Sequence, residues 1–194
     1  LCRTPEPAVQ VGFHTVHVAA HHADGLAVDH KPGAGKSLAV DNGDGTVTVK
    51  KIVATITSGR YTYNYATLAD AAADAYNGET IVMVRDVTEV VQIPAGKSFT
   101  LDMNGKTLNG SIMAPDADLT IVNGSIVNTD NRVSALEINA GNLDLTDVKI
   151  SSARHALRIE GGTATINGGI YKTANTTVQS QHALNVGGES TTAT

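Results

Sequence analysis

The sequence predicts an all-β fold in which residues 80–194 wind into a right-handed parallel β-helix, a three-faced solenoid of roughly 21–27 residues per turn, preceded by a short capping α-helix. Three observations carry that expectation. Similar segments return in one order at a nearly fixed spacing. Each is only three to five residues long, alternates apolar with polar residues, and is bounded by Gly, Asn or Asp. The apolar supply is aliphatic: hydrophobic residues make up 41% of the 194, yet Trp is absent and the aromatics are five Tyr and two Phe. Thin layers of Ala, Val, Ile and Leu suit that supply.

Residues 1–60 form a lead-in of different texture. Residues 46–49 and 52–56 read as short strands, with Asp41-Asn42-Gly43-Asp44-Gly45 as a hairpin turn before them. Residues 61–79 are expected to hold a strand and the capping helix. Thr67 is its N-cap, Asp70 its third residue and Gly78 its stop, with Leu68, Ala71, Ala72 and Ala75 on one apolar face. The first rung then opens at Ile81-Val82-Met83-Val84.

The repeat is clearest in three series. Ala135-Leu136-Glu137-Ile138, Ala156-Leu157-Arg158-Ile159 and Ala183-Leu184-Asn185-Val186 stand at offsets of 21 and 27. Leu119-Thr120-Ile121, Leu143-Asp144-Leu145 and Ala164-Thr165-Ile166 stand at offsets of 24 and 21. Ile126, Ile150 and Ile170 make the third series, each after a turn-forming stretch. A leucine-rich repeat has a similar period, but its fixed Leu and Asn ladder is missing here.

Period-two alternation sorts the side chains. Leu136, Ile138, Leu143, Leu145, Val148, Ile150, Leu157, Ile159, Ile166, Ile170, Leu184 and Val186 are expected inside. Glu137, Arg158 and Asn185 form one outward column, Thr120, Asp144 and Thr165 a second, and Val127, Lys149 and Tyr171 a third. One turn buries about five aliphatic side chains at roughly 1.5–3 kcal/mol each. Ordering its backbone costs about 1–2 kcal/mol per residue. A lone turn therefore does not stand, and stacking and a cap supply the rest.

Charge narrows the function classes. The net charge is −5 and no Lys/Arg run exceeds Lys50-Lys51, so a phosphate-tracking surface is missing and no nucleic-acid partner is expected. No apolar run approaches the roughly 18 residues of a membrane span. Cys2 is the single cysteine and allows no internal disulfide. The start at Leu1 rather than Met predicts a mature form or an excised segment, and Thr191 to Ala193 reads as the opening of a further rung continuing past residue 194.

Residues 52–110 carry Tyr65-Ala66-Thr67-Leu68, Gly78-Glu79-Thr80-Ile81, Asp86-Val87-Thr88-Glu89, Ile93-Pro94-Ala95-Gly96-Lys97 and Leu101-Asp102-Met103-Asn104-Gly105-Lys106-Thr107-Leu108 in that order. This run resembles the pectin-lyase-like β-helix segments of large Gram-positive surface proteins and adhesins. The resemblance covers about 60 residues closely and about 130 loosely. It implies an extracellular, cell-surface location and a stalk or adhesive role, and it specifies architecture rather than a reaction.

Several residues are candidates for ligands. Tyr61, Tyr63 and Tyr65 alternate and share one face of an extended strand, as a sugar-stacking platform requires; packing against the lead-in is the competing reading. Asp41 and Asp44 within the Gly-rich turn suggest calcium, whose oxygen ligands alternate around Gly, although the distal bidentate Glu of a full calcium loop is missing. His17 and His21, with His14, His22 and His30, suggest a zinc or nickel site without a recognised spacing. Lys31-Pro32-Gly33-Ala34-Gly35-Lys36-Ser37 ends like a phosphate loop, but His30 stands where that motif needs Gly.

The leading expectation is a non-catalytic structural or adhesive module that presents a binding surface to a host or environmental glycan or to a surface protein. Two alternatives stay open. A polysaccharide lyase or glycoside hydrolase would draw on Asp102, Glu137, Asp144, Asp147, Arg154 or Arg158. A glycan-binding module would use exposed aromatics.

Overall fold

The structure, a computed structural model, describes residues 9–11, 14–16, 37–42, 44, 46–174, 181–187 and 192–193. Two small hairpins come first. Strand β1 (Val9–Val11) pairs antiparallel with β2 (His14–Val16), and β3 (Ser37–Asp41) with β4 (Val47–Lys51). The second closes through the expected turn, where Asn42 N–H donates to the Thr46 carbonyl at 3.0 Å.

A third hairpin, β5 (Ala54–Ser58) and β6 (Tyr61–Tyr65), is joined to the rest of the molecule. After it come helix α1 (Leu68–Asp74) and strand β7 (Glu79–Met83), which pairs antiparallel with β5. The remaining strands are β8 (Val87–Gln92), β9 (Lys97–Asp102), β10 (Thr107–Ala114), β11 (Ala117–Asn128), β12 (Leu136–Ile138), β13 (Gly141–Ser152), β14 (Leu157–Ile159), β15 (Thr163–Asn167), β16 (Ile170–Thr173), β17 (Leu184–Val186) and β18 (Thr192–Ala193). Strands β7 to β18 pair with one another only in parallel, and the chain is a β-solenoid of about five turns.

The pairings fall into three ladders. The first runs through β7, β9, the opening halves of β11 and β13, β15 and β18. The second joins the starts of β8 and β10 to the closing halves of β11 and β13 and then to β16. The third joins the ends of β8 and β10 to β12, β14 and β17. In the first ladder Glu79, Phe99, Leu119, Leu143, Ala164 and Ala193 are successive partners, so the turns take 20, 20, 24, 21 and 29 residues.

Inward columns follow the alternation. Ile56, Ile81, Leu101, Ile121, Leu145 and Ile166 stack in the first ladder, and Ile112, Leu136, Leu157 and Leu184 in the third. Most are fully buried, whereas Leu184 and Val186 in the last described rung of the third ladder remain 42% and 46% exposed.

In the second ladder the structure corrects the expected register. Ile126 stacks on Ile150 as predicted, but Ile150 then pairs with Tyr171, and Ile170 pairs with Lys149. Tyr171 packs against the core, while Ile170 is 55% exposed. The outward columns change with it: Ser125, Lys149 and Ile170 form one, and Val127, Ser151 and Lys172 another, in place of Val127, Lys149 and Tyr171. Matching Ile to Ile set the segment one residue out, and in a strand a one-residue slip turns every side chain to the opposite face. Gly169 completes the explanation. It sits at φ +94°, and a Cβ there would lie 2.1 Å from the Val148 carbonyl oxygen, so the position opposite buried Val148 takes no side chain.

Helix α1 covers the open first end of the coil. Leu68, Ala71, Ala72 and Ala75 are buried, and Leu68 and Ala72 border a small gap with Ile81, Val91, Phe99 and Leu101 of the first two turns. Thr67 is the N-cap, its hydroxyl accepting from Asp70 N–H at 3.0 Å. The helix stops at Asp74, before Gly78, and Lys97 of β9 closes it by donating from Nζ to the Ala73 and Ala75 carbonyls at 2.5 and 2.9 Å.

Candidate functional site

The first ladder alternates buried apolar residues with outward polar ones. Ser98-Phe99-Thr100, Asp118-Leu119-Thr120, Asn142-Leu143-Asp144 and Thr163-Ala164-Thr165 lie in register on successive turns. One outward column is therefore Ser98, Asp118, Asn142 and Thr163; the next is Thr80, Thr100, Thr120, Asp144 and Thr165. Neighbours within a column repeat at about 4.8 Å.

Across three of these turns lies an open groove of about 240 Å³, bordered by Gly78, Ser98, Thr100, Asp118, Thr120, Asn142 and Asp144. Hydroxyl, amide and carboxylate groups line it together with Phe99 and Leu119, without a Lys or Arg. Part of it is tied together. Thr163 donates its hydroxyl to Asn142 Oδ1 at 2.5 Å, and Asn142 donates from Nδ2 and from its backbone N–H to Asp118 Oδ1 at 2.7 and 3.0 Å. One oxygen of Asp118 is thus fixed by the protein, and the Asp144 carboxylate stands exposed on the neighbouring column. Such an array hydrogen-bonds hydroxyl groups and attracts cations, and its repeat runs along the coil axis.

The sequence-predicted residues lie elsewhere. Tyr63 is opposite Ile56, itself opposite buried Ile81, so Tyr61, Tyr63 and Tyr65 face the helix side of the sheet, away from the groove. Tyr61 and Tyr63 are 70% and 43% exposed, but Tyr65 packs against the core. Burial, and after it the Asp74 and Glu79 carboxylates, push the Tyr65 hydroxyl up to about 12. Two of the three rings are thus open, at the outermost strand of that sheet.

Asp44 is exposed in its turn, with Oδ1 accepting from Thr46 N–H at 2.9 Å and from Thr46 Oγ1 at 2.5 Å. Those bonds hold its carboxyl below the usual range. Asp41 ends β3. His17, His21 and residues 31–36 of the phosphate-loop-like stretch lie outside the described residues. Among the described residues no three His, Cys, Asp or Glu side chains group to hold a metal ion, and no helix is long and apolar enough to cross a membrane.

The acids and bases considered for catalysis are dispersed. Asp102 Oδ1 accepts from Asn104 N–H at 2.8 Å and Asn123 Nδ2 at 3.3 Å, at the corner where Asp147 also sits with φ +53°. Glu137 and Arg158 pair at 3.3 Å in the third ladder, where Arg158 also meets Glu160 at 2.5 Å, and Arg154 donates to the Arg132 carbonyl. Only Asp144 of that set lines the groove. Ser98, Thr100, Asp118 and Asn142 were missed as a group, although the polar-apolar-polar triplets that carry them are visible in the sequence once the 20-, 24- and 21-residue registers are known.

Fold and groove together define a β-solenoid with a polar groove along one ladder. No family model matches the chain, and no curated protein or solved structure matches it.

Proposed function

We propose that this chain is a non-catalytic module of an extracellular, cell-surface protein, a right-handed, three-faced β-helix that binds a glycan along its first ladder. The observation that carries the reading is the groove of Ser98, Thr100, Asp118, Thr120, Asn142 and Asp144, in which hydroxyl and carboxylate groups repeat from turn to turn. A sugar polymer laid along the coil axis meets one set of these groups per turn. The two carboxylates repel a polyuronate, so the preferred ligand is neutral or amino-bearing.

Three ladders support three faces, and parallel strands joined by crossovers are right-handed in about 98% of cases. The resemblance of residues 52–110 to β-helix segments of Gram-positive surface proteins supports surface display. Calcium enters this reading only as a bridge that would let the same carboxylates accept an anionic chain.

A glycan array probed with the folded protein, in calcium and then in chelator, tests the proposal. Saturable binding to neutral or amino-bearing glycans, reduced at least about tenfold in Asp144→Asn and in Thr120→Val, is the expected result. Binding unchanged in both variants, or no binding by folded protein, would overturn it and leave a spacer. Because Asp118 and Asp144 share one groove, a glycoside hydrolase is the second reading. Release of reducing ends from a bound glycan, abolished in Asp118→Asn, would establish it.

A further inference from the structure

We propose that His155 and His182 form a pH-sensitive latch that docks the fifth turn of the solenoid at neutral pH and releases it in mild acid. The two residues lead into equivalent strands, β14 and β17, which pair in parallel with Leu157 opposite Leu184. Their rings stack with centroids 5.8 Å apart and planes inclined by 20°. His182 N–H donates to His155 Nδ1 at 3.1 Å, so the docked state needs that nitrogen without a proton.

His155 is 5% exposed. The side chains acting on it, Arg154 beside it, His182 stacked on it and Arg158 from its own strand, favour the neutral ring and outweigh a backbone hydrogen bond with His182 that favours the protonated one. The carboxylates near this corner are already committed, Glu137 and Glu160 to Arg158 and Asp130 to Arg132. Burial first, then Arg154, holds the His155 pKa below its ordinary value of 6.5. The undocked ring therefore takes up a proton before the docked one, and docking weakens as pH falls below about 6.5. Protonation turns the Nδ1 acceptor into a donor facing a donor and sets a positive ring against its stacked neighbour.

Among the described residues, this turn is held by β17 on β14, by β18 on β15 and by bonds such as Leu157 N–H to the Ala183 carbonyl at 3.0 Å and Gly187 N–H to the Ile159 carbonyl at 2.8 Å, while Leu184 and Val186 stay half exposed. Its departure bares the β14 edge, a row of unpaired backbone groups that can template another strand.

Amide hydrogen exchange on the full chain at about pH 7.5 and about pH 5.5, corrected for intrinsic rates, tests the latch. Protection at Leu157 and Gly187 should be present at the higher pH and lost at the lower, while Ile121 and Leu145 stay protected at both. His155→Asn keeps an acceptor without a titrating ring and should stay docked at both. Unchanged protection in the wild type, or the same acid loss in His155→Asn, would overturn the proposal. Should that variant fail to dock, nitrogen NMR of the wild-type imidazole decides: Nε2–H with bare Nδ1 at neutral pH is expected, and Nδ1–H would refute the latch.

Discussion

Glu89 of β8 holds the first turn of helix α1 through Leu68, whose N–H donates to Oε2 at 2.8 Å while Ala69 N–H donates to Oε1 at 2.9 Å. The solenoid thus caps the helix that covers it. A carboxylate here satisfies two of the four N–H groups a helix leaves open and complements the positive end of its dipole. Glu89→Ala should cost about 2 kcal/mol and Glu89→Gln about 1 kcal/mol, read as lowered urea midpoints with unchanged slopes. Equal stability of Glu89→Ala and wild type would show that the apolar face alone seats the helix.

The corrected register of β16 makes a prediction opposite to that of the sequence pattern. Ile170 is exposed beside Lys149, whereas Tyr171 points inward against Ile150. Ile170→Ser should change stability by less than about 0.5 kcal/mol. Tyr171→Ser should cost about 2 kcal/mol, because a half-buried ring leaves a gap in the last full turn. Thermal unfolding of the two variants separates the registers, and a larger loss in Ile170→Ser would restore the Ile126, Ile150, Ile170 column.

What the sequence made legible was whatever depends on alternation within a strand and on close similarity between turns. Leu136, Leu157 and Leu184 align because the Ala-Leu-x-Ile/Val segments are near copies, and the Glu137, Arg158 and Asn185 column follows. β16 was misread because its defining feature is Gly169, a missing side chain opposite Val148, which similarity scoring passes over. The groove was hidden for a related reason. Asp118 gains its meaning from Asn142, 24 residues later, and that pairing is visible only when the length of the third turn is fixed. The three tyrosines illustrate the remaining limit. Alternation put them on one face, but only the packing of α1 beside β6 separates half-buried Tyr65 from open Tyr61.

That packing has a consequence at high pH. Tyr65 is pushed up to about 12 from 10.0 by burial and then by Asp74 and Glu79, so the folded state keeps a proton that the unfolded state gives up. Stability from this residue is complete below pH 10 and declines as pH rises toward about 12, since the unfolded chain binds fewer protons throughout that window. Tyr65→Phe removes the ionisation while retaining the ring. Alkaline unfolding followed by circular dichroism should therefore show the variant losing less stability than the wild type between those two values. Parallel decline of the two proteins would mean that other groups govern the alkaline limit and that the Tyr65 hydroxyl reaches solvent when it ionises.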